Sequence, residues 1–124
     1  MGMFTVQPMR GGYRFDLKAG NGQTVAVSPI WHTMRDCLAG IERVRQLVEA
    51  PIEDQTVSHP VPLDCPKYEI YYSDKNRLHC FRLKDTDDRI LLFAENYTAK
   101  RSCKNGIRSV RNNAPEAPVA KDER

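Results

Sequence analysis

Apolar and polar residues alternate along short stretches of this chain and then give way to a helical rhythm, and the whole succession occurs twice. Over residues 13–18, Tyr13, Phe15 and Leu17 fall on one side and Arg14, Asp16 and Lys18 on the other. That period of two marks a strand buried on one face. LHCFRLK repeats it with Phe81 and Leu83 on the apolar side. A short strand precedes each alternating run, MFTVQ in the first half and YEIYY in the second, and QTVAVS or RILLFAE follows after a turn. The first turn is Gly20-Asn21-Gly22, and Asn-Gly is a strong hairpin signal. The second is Asp85-Thr86-Asp87-Asp88. A helix is then predicted over about residues 98–111, because Ala99, Cys103, Ile107 and Val110 share one stripe at 100° per residue. Cys37, Ile41, Val44 and Val48 form the matching stripe of the first half, widened by Leu38 and Leu47. Pro51 and Pro115 end these helices, since proline lacks the amide donor and clashes with the preceding turn. The segments beyond them, IEDQTVSHPVPL and EAPVAK, each have room for one more short strand.

The two halves align. Sliding residues 13–45 by 66 positions pairs nine identical residues without a gap: Phe15/Phe81, Leu17/Leu83, Lys18/Lys84, Arg35/Arg101, Cys37/Cys103, Gly40/Gly106, Ile41/Ile107, Val44/Val110 and Arg45/Arg111. Trp31 falls on Tyr97 and Val25 on Leu91. The chain therefore reads as one α+β domain over residues 1–124, built of two β-β-β-α-β units. The first unit is 1–62 and the second 63–124, joined by the stiff His59-Pro60-Val61-Pro62 connector, with residues 119–124 expected as a frayed tail. A glycine inside a helix costs roughly 1 kcal/mol against alanine. Gly40 and Gly106 recur on or beside the buried stripe, which predicts a helix lying very close to the sheet. Phe15, Phe81, Leu17, Leu83, Ile41, Ile107, Val44 and Val110 are the predicted structural frame.

With 124 residues, 40% of them hydrophobic and 28% charged, the chain suits one modest core under a soluble surface. No apolar run approaches the roughly 20 residues of a membrane helix, and the N-terminus lacks a charged-then-apolar export pattern. A cytoplasmic protein without membrane contact is expected. Cys37, Cys65, Cys80 and Cys103 form no CxxC pair and no zinc spacing, so reduced thiols are expected and neither a metal nor a cofactor is called for. The net charge is +3. Residues 1–62 carry six Lys/Arg and six Asp/Glu, so the whole excess lies in the second half.

That excess concentrates on the second helix. Lys100, Lys104, Arg108 and Arg111 sit within about 80° of arc, with Arg101 beside them. No acid interrupts them, whereas Asp36, Glu42 and Glu49 interleave the first helix. Such a stripe suits phosphates, whose counterions are released on contact; a solvated helix face is the plainer reading. The acidic turn 85–88 lacks the twelve-residue calcium loop and its terminal glutamate, so it reads as a polar turn. His32, His59 and His79 have no nucleophile or acid in a recognisable pairing around them, and no catalytic residue is assigned. Cys37 and Cys103 fall on the buried stripe as small hydrophobes, which leaves Cys65 and Cys80 as the thiols to watch. Arg14, Asp16, Lys18, Cys80, Arg82 and Lys84 should line the sheet face away from the helices, a solvated surface or a platform for a protein partner, with Tyr71 as an aromatic contact.

YRFDLKAGNGQTVAVSPIW and KNGIRSVRNNAPEA resemble the YegP-like family of small bacterial proteins across both halves. Phe15, Leu17, Lys18, Ala19, Asn21 and Gly22 carry the first part of its motif. Asn105, Gly106, Ile107, Ser109, Val110, Asn113, Ala114 and Pro115 carry the second. The second half lacks the Asn-Gly turn, and the first lacks the Asn before its helix glycine and the N-A-P. The resemblance implies a single antiparallel sheet with two helices on one face, the last strand of each unit exchanged into the other, and a monomer that is its own pseudo-dimer. It brings no catalytic residues. The expected function is a non-enzymatic binding or accessory module. The alternatives are a weak nucleic-acid binder using the second helix, and an enzyme with its site in a cleft at the junction of the units, where a histidine and a carboxylate would have to converge.

Overall fold

Residues 2–121 are described by a computed structural model, and in it both rhythms become elements where the alternation places them. The order is β1 (Met3–Met9), β2 (Gly12–Lys18), β3 (Thr24–Val27), α1 (Met34–Leu47), β4 (Ile52–Asp54), β5 (Lys67–Ser73), β6 (Leu78–Lys84), β7 (Ile90–Tyr97), α2 (Lys100–Asn113) and β8 (Val119–Lys121). The second helix starts two residues later than predicted, because Ala99 is still extended at φ −135° and ψ 149°.

The strands form one sheet in the order β4-β5-β6-β7-β3-β2-β1-β8. Its inner pairs are antiparallel, but β8 runs parallel to β1 and β4 parallel to β5. The sheet is therefore mixed, which corrects the antiparallel expectation. A three-residue edge strand carries no directional signal in its sequence. Its direction follows from where the preceding helix ends and where its first backbone bonds form: the Tyr68 amide donates to the Pro51 carbonyl and the Phe4 amide to the Pro118 carbonyl. β4, which follows α1, lies against β5 of the other half, and β8, which follows α2, lies against β1. Val119–Lys121 are thus paired strand, and the frayed-tail expectation for 119–124 fails there; residues 122–124 lie outside the described ones.

One core fills the space between the sheet and both helices. Phe4, Val6, Phe15, Leu17, Tyr68, Ile70, Phe81 and Leu83 of the strands meet Cys37, Ile41, Val44, Cys103, Ile107 and Val110 of the helices, all at most 1% exposed. Each large apolar side chain so buried contributes about 1.5–3 kcal/mol. β3 and β7 pair only at Val27 and Phe93, so the middle of the sheet is thin. The helices span it, α1 packing on β2 and β7 and α2 on β3 and β6.

Positions 66 apart take matching places. The hairpin turns close alike, Ala19 N–H to Gln23 and Asp85 N–H to Arg89, both at 2.9 Å. Gly22 (φ +85°) and Asp88 (φ +69°) occupy the same left-handed position, which aspartate tolerates better than most residues. The helix glycines make room for a ring rather than for sheet backbone. A Cβ on Gly40 would lie 2.6 Å from the Trp31 ring, and one on Gly106 would lie 2.7 Å from Cζ of Tyr97. Trp31 in turn stacks on Phe15, and Tyr97 on Phe81. At the helix ends, Arg45 donates to the Ala117 carbonyl and lies over the Phe4 ring. Arg111 donates to the Val48 and Ala50 carbonyls at 3.0 and 2.8 Å and lies over Tyr68.

Candidate functional site

Each aromatic ring that fills a helix glycine floors a cleft between a helix start and the opposite half's hairpin turn. The first cleft, about 510 Å³, lies between the segment entering α1 and the β6–β7 turn, and Trp31, His32, Asp36, Asp88 and Arg89 line it. Arg89 lies over the Trp31 ring at 5.7 Å, and the buried Trp31 Nε1 has no partner. A histidine and two carboxylates do border this junction. Asp88, however, accepts the Lys84 ammonium at 2.9 Å and the Cys65 thiol at 3.6 Å, and His32 is exposed to solvent. The second cleft, about 370 Å³, lies between the α2 start and the β2–β3 turn over Tyr97. Its lining is uncharged and rich in amides and hydroxyls, among them Asn21, Gln23, Asn96, Ser102 and Asn105. Sequence reasoning allows for a cleft at the junction of the units but assigns no residues to it and does not foresee the second cleft, though Trp31/Tyr97 and Gly40/Gly106 appear side by side in the alignment of the halves.

The basic residues of α2 divide into two sets. Lys100 turns back to β4, with Nζ 3.0 Å from Asp54 Oδ2 and 2.9 Å from Thr56 Oγ1. Arg111 is held by the two carbonyls at the end of α1 and by the Tyr68 ring. Both are framework residues and drop out of the predicted stripe; a helical wheel does not reveal that β4 of the other half lies alongside. Arg101, Lys104 and Arg108 remain exposed. They border a groove of about 610 Å³ that also takes in Asn105 and the flank of Lys100. The first turn of α2 contains no acid, and no side chain caps it. In α1, by contrast, Thr33 Oγ1 accepts from the Asp36 amide.

The face of the sheet away from the helices is less open than its sequence suggests. Glu69 is only 3% exposed. It accepts from Arg82 Nε at 2.5 Å, Lys67 Nζ at 3.0 Å and Lys84 Nζ at 3.2 Å. Lys67 also reaches Glu53 at 2.8 Å, and Glu53 accepts the Leu63 amide at 2.6 Å, so the connector closes over it. In the other half Asp16 accepts from Gln7 and Arg14. Arg82 lies over Tyr71 at 4.4 Å, which occupies the expected aromatic contact from within. Cys80 is fully buried, and burial pushes its thiol up. Burial and the Asp88 carboxylate do the same to Cys65, so neither thiol is activated. His79 sits edge-on to Tyr72 at 5.1 Å, its Nδ1 buried without a partner. Among the described residues, no group of three His, Cys, Asp or Glu side chains is placed to hold a metal, and no helix is long and apolar enough to cross a membrane.

These contacts make stability depend on acid. Gln55, Lys67 and the Leu63 amide hold Glu53 at about 2. Arg43 holds Asp85 at about 2. Burial alone would raise Asp54, but Thr56 and Lys100 outweigh it and leave it at about 2. A carboxylate depressed on folding stabilises fully above its unfolded value and loses that contribution as pH falls through the folded one. Stability should therefore be flat near neutrality and drop between about pH 4.5 and 2. Urea midpoints across that range check it, and the Glu53→Gln variant should flatten part of the drop.

A family model described as a domain of unknown function, DUF1508, matches residues 10–54 and again 74–120, which fits a tandem repeat. A UPF0339 protein of Stutzerimonas stutzeri, described as in the ptx operon 5′ region, is 32% identical over 109 residues, 88% of this chain and 85% of the relative. A UPF0339 protein of Treponema denticola is 45% identical over 53 residues, 43% of this chain but 90% of its own length. The solution structure of yegP from E. coli, a protein of unknown function, superposes with a TM-score of 0.78 at 26% identity, covering 98% of this chain and 92% of that one.

Proposed function

The chain belongs to the DUF1508 family, and from that premise we propose that it is a non-enzymatic binding or accessory module of the cytoplasm, a monomer whose two halves, 1–62 and 63–124, form a pseudo-dimer. The observation that carries this reading is that the groups fit for chemistry are spent on one another. Glu53, Glu69, Asp54 and Asp85 each hold a cation. The thiols are raised in pKa, His32 and His59 stand exposed, and His79 packs edge-on against Tyr72 within the sheet. Catalysis needs a base free to move a proton and placed against a nucleophile or substrate, and the first cleft offers His32 without a nucleophile beside it.

One observation favours a particular class of partner. Arg101, Lys104 and Arg108 fall within about 60° of arc on α2, exposed, with no acid on that helix. Three such cations support weak contact with a nucleic-acid backbone. The test is a titration of labelled single- and double-stranded oligonucleotides at low and physiological salt, with the Arg101→Ala/Lys104→Ala/Arg108→Ala variant alongside. Binding should weaken with salt at a log–log slope of about −2 for single strands and vanish in the variant. No binding at low salt would remove nucleic acid and leave a protein partner on the sheet face.

A further inference from the structure

The uncharged second cleft and the cationic groove are neighbours, and Asn105 borders both. On the α2 wheel, Ser102, Asn105 and Ser109 occupy about 60° of arc adjoining the stripe of Arg101, Lys104 and Arg108. Opposite them, Gln23 comes from the β2–β3 turn and Asn96 from the end of β7, both exposed. Three segments thus converge on one recess of amides and hydroxyls over a Tyr97 ring that Phe81 and Gly106 fix in place.

We propose that the recess and the stripe are one site, which takes a nucleotide unit with its phosphate on Arg101, Lys104 and Arg108 and its base and ribose against Gln23, Asn96 and Asn105. The division of labour is chemical. Phosphate contacts hold a strand in position, and amide side chains read the donor and acceptor edges of a base. Only an unpaired base presents those edges to a recess of this kind. A duplex would reach the stripe alone.

The other half supplies an internal comparison. At the positions related by 66, Arg101, Lys104 and Arg108 become Arg35, Leu38 and Glu42, and Asn96, Asn105 and Gln23 become Ile30, Ala39 and Arg89. The first cleft therefore has neither the continuous stripe nor the amide lining. Both properties change together, as they would if one ligand required both.

This inference rests on the nucleic-acid reading, and its test separates the two. The probes are a fluorescent single-stranded oligonucleotide, the same sequence as a duplex, inorganic polyphosphate as competitor, and the mononucleotides AMP and UMP. The variants are Gln23→Ala/Asn96→Ala, which alters the recess, and Arg101→Ala/Lys104→Ala/Arg108→Ala, which alters the stripe. The two amides and the three cations are all exposed, so folding should survive in both variants, and circular dichroism checks it. The recess variant should bind the single strand about tenfold more weakly with its salt slope unchanged, and should bind duplex and polyphosphate as before. AMP or UMP binding that depends on both sets would place a free nucleotide in the site; binding of the strand alone would assign it to the polymer. If the recess variant binds the single strand like the parent, or polyphosphate competes as well as the single strand, the recess plays no part and only the charged stripe stands. If no probe binds at low salt, the stripe and the recess both fall.

Discussion

Cutting the chain after Leu63 should leave two fragments, neither of which folds as a monomer, while an equimolar mixture should recover the helix and strand signal of the intact protein. The reason is the edge pairing. Residues 1–63 contain β4 but not β5, the strand it lies against, and they contain β1 but not β8. The core is divided too, since α1 packs on β7 and α2 on β3. A lone fragment would expose Phe4, Phe15 and Ile41, or Tyr68, Phe81 and Ile107, each worth about 1.5–3 kcal/mol when buried. That loss is several times what a half-sized domain has in reserve. Arg45 and Arg111 would also lose the carbonyls they hold across the halves. Two copies of one fragment can exchange their last strands. Self-association at high concentration therefore agrees with the scheme. Light scattering and circular dichroism on each fragment and on the mixture decide it: a folded, monomeric fragment would overturn the exchanged arrangement.

Much of this fold is legible in the sequence because its signals are local. The alternation of Tyr13, Phe15 and Leu17 against Arg14, Asp16 and Lys18 places β2 and its buried face, and the stripe through Cys103, Ile107 and Val110 places α2. The pairing of Gly40 with Gly106 marks a close approach, though not its partner, because Trp31 and Tyr97 reach the glycines from nine residues earlier, Trp31 just before α1 and Tyr97 at the end of β7. What is not legible depends on strands brought together from afar. Nothing local says that β4 lies beside β5, so Lys100 and Arg111 read as free cations until Asp54 and the Ala50 carbonyl are seen against them. Gln23, Asn96 and Asn105 come from three segments, and none belongs to a motif that singles it out. The buried charges of the sheet face are hidden for a related reason. Lys84 and Arg82 alternate with apolar neighbours, so they read as a solvated face, yet both converge on the buried Glu69 of the neighbouring strand.

That covered network gives the largest effect expected of a single substitution. Glu69→Ala should destabilise the protein by about 3–5 kcal/mol, because it removes the shared partner of Lys67, Arg82 and Lys84 and leaves like charges crowded and poorly hydrated. Burial by itself would raise the Glu69 pKa, and these three cations reverse the sign and lower it. Glu69→Gln should cost less, since its carbonyl oxygen still accepts one or two of the bonds while the charge is lost. The other half offers the control. By strand register Thr5 stands opposite Asp16 as Glu69 stands opposite Arg82, and Asp16 holds only Gln7 and Arg14. Asp16 is itself buried, at 5% exposure, but its partners Arg14 and Gln7 lie partly in solvent and can turn to water, so Asp16→Ala should cost less, about 1–2 kcal/mol. Urea unfolding at pH 7 measures all three variants. A Glu69→Ala loss no greater than that of Asp16→Ala would mean that water screens the network as it does surface pairs. A loss of the expected size would mean that the second half keeps its edge closed by charge: Lys67 joins Glu69 to Glu53 of β4, and the exchanged strand is held where backbone pairing alone is only three residues long.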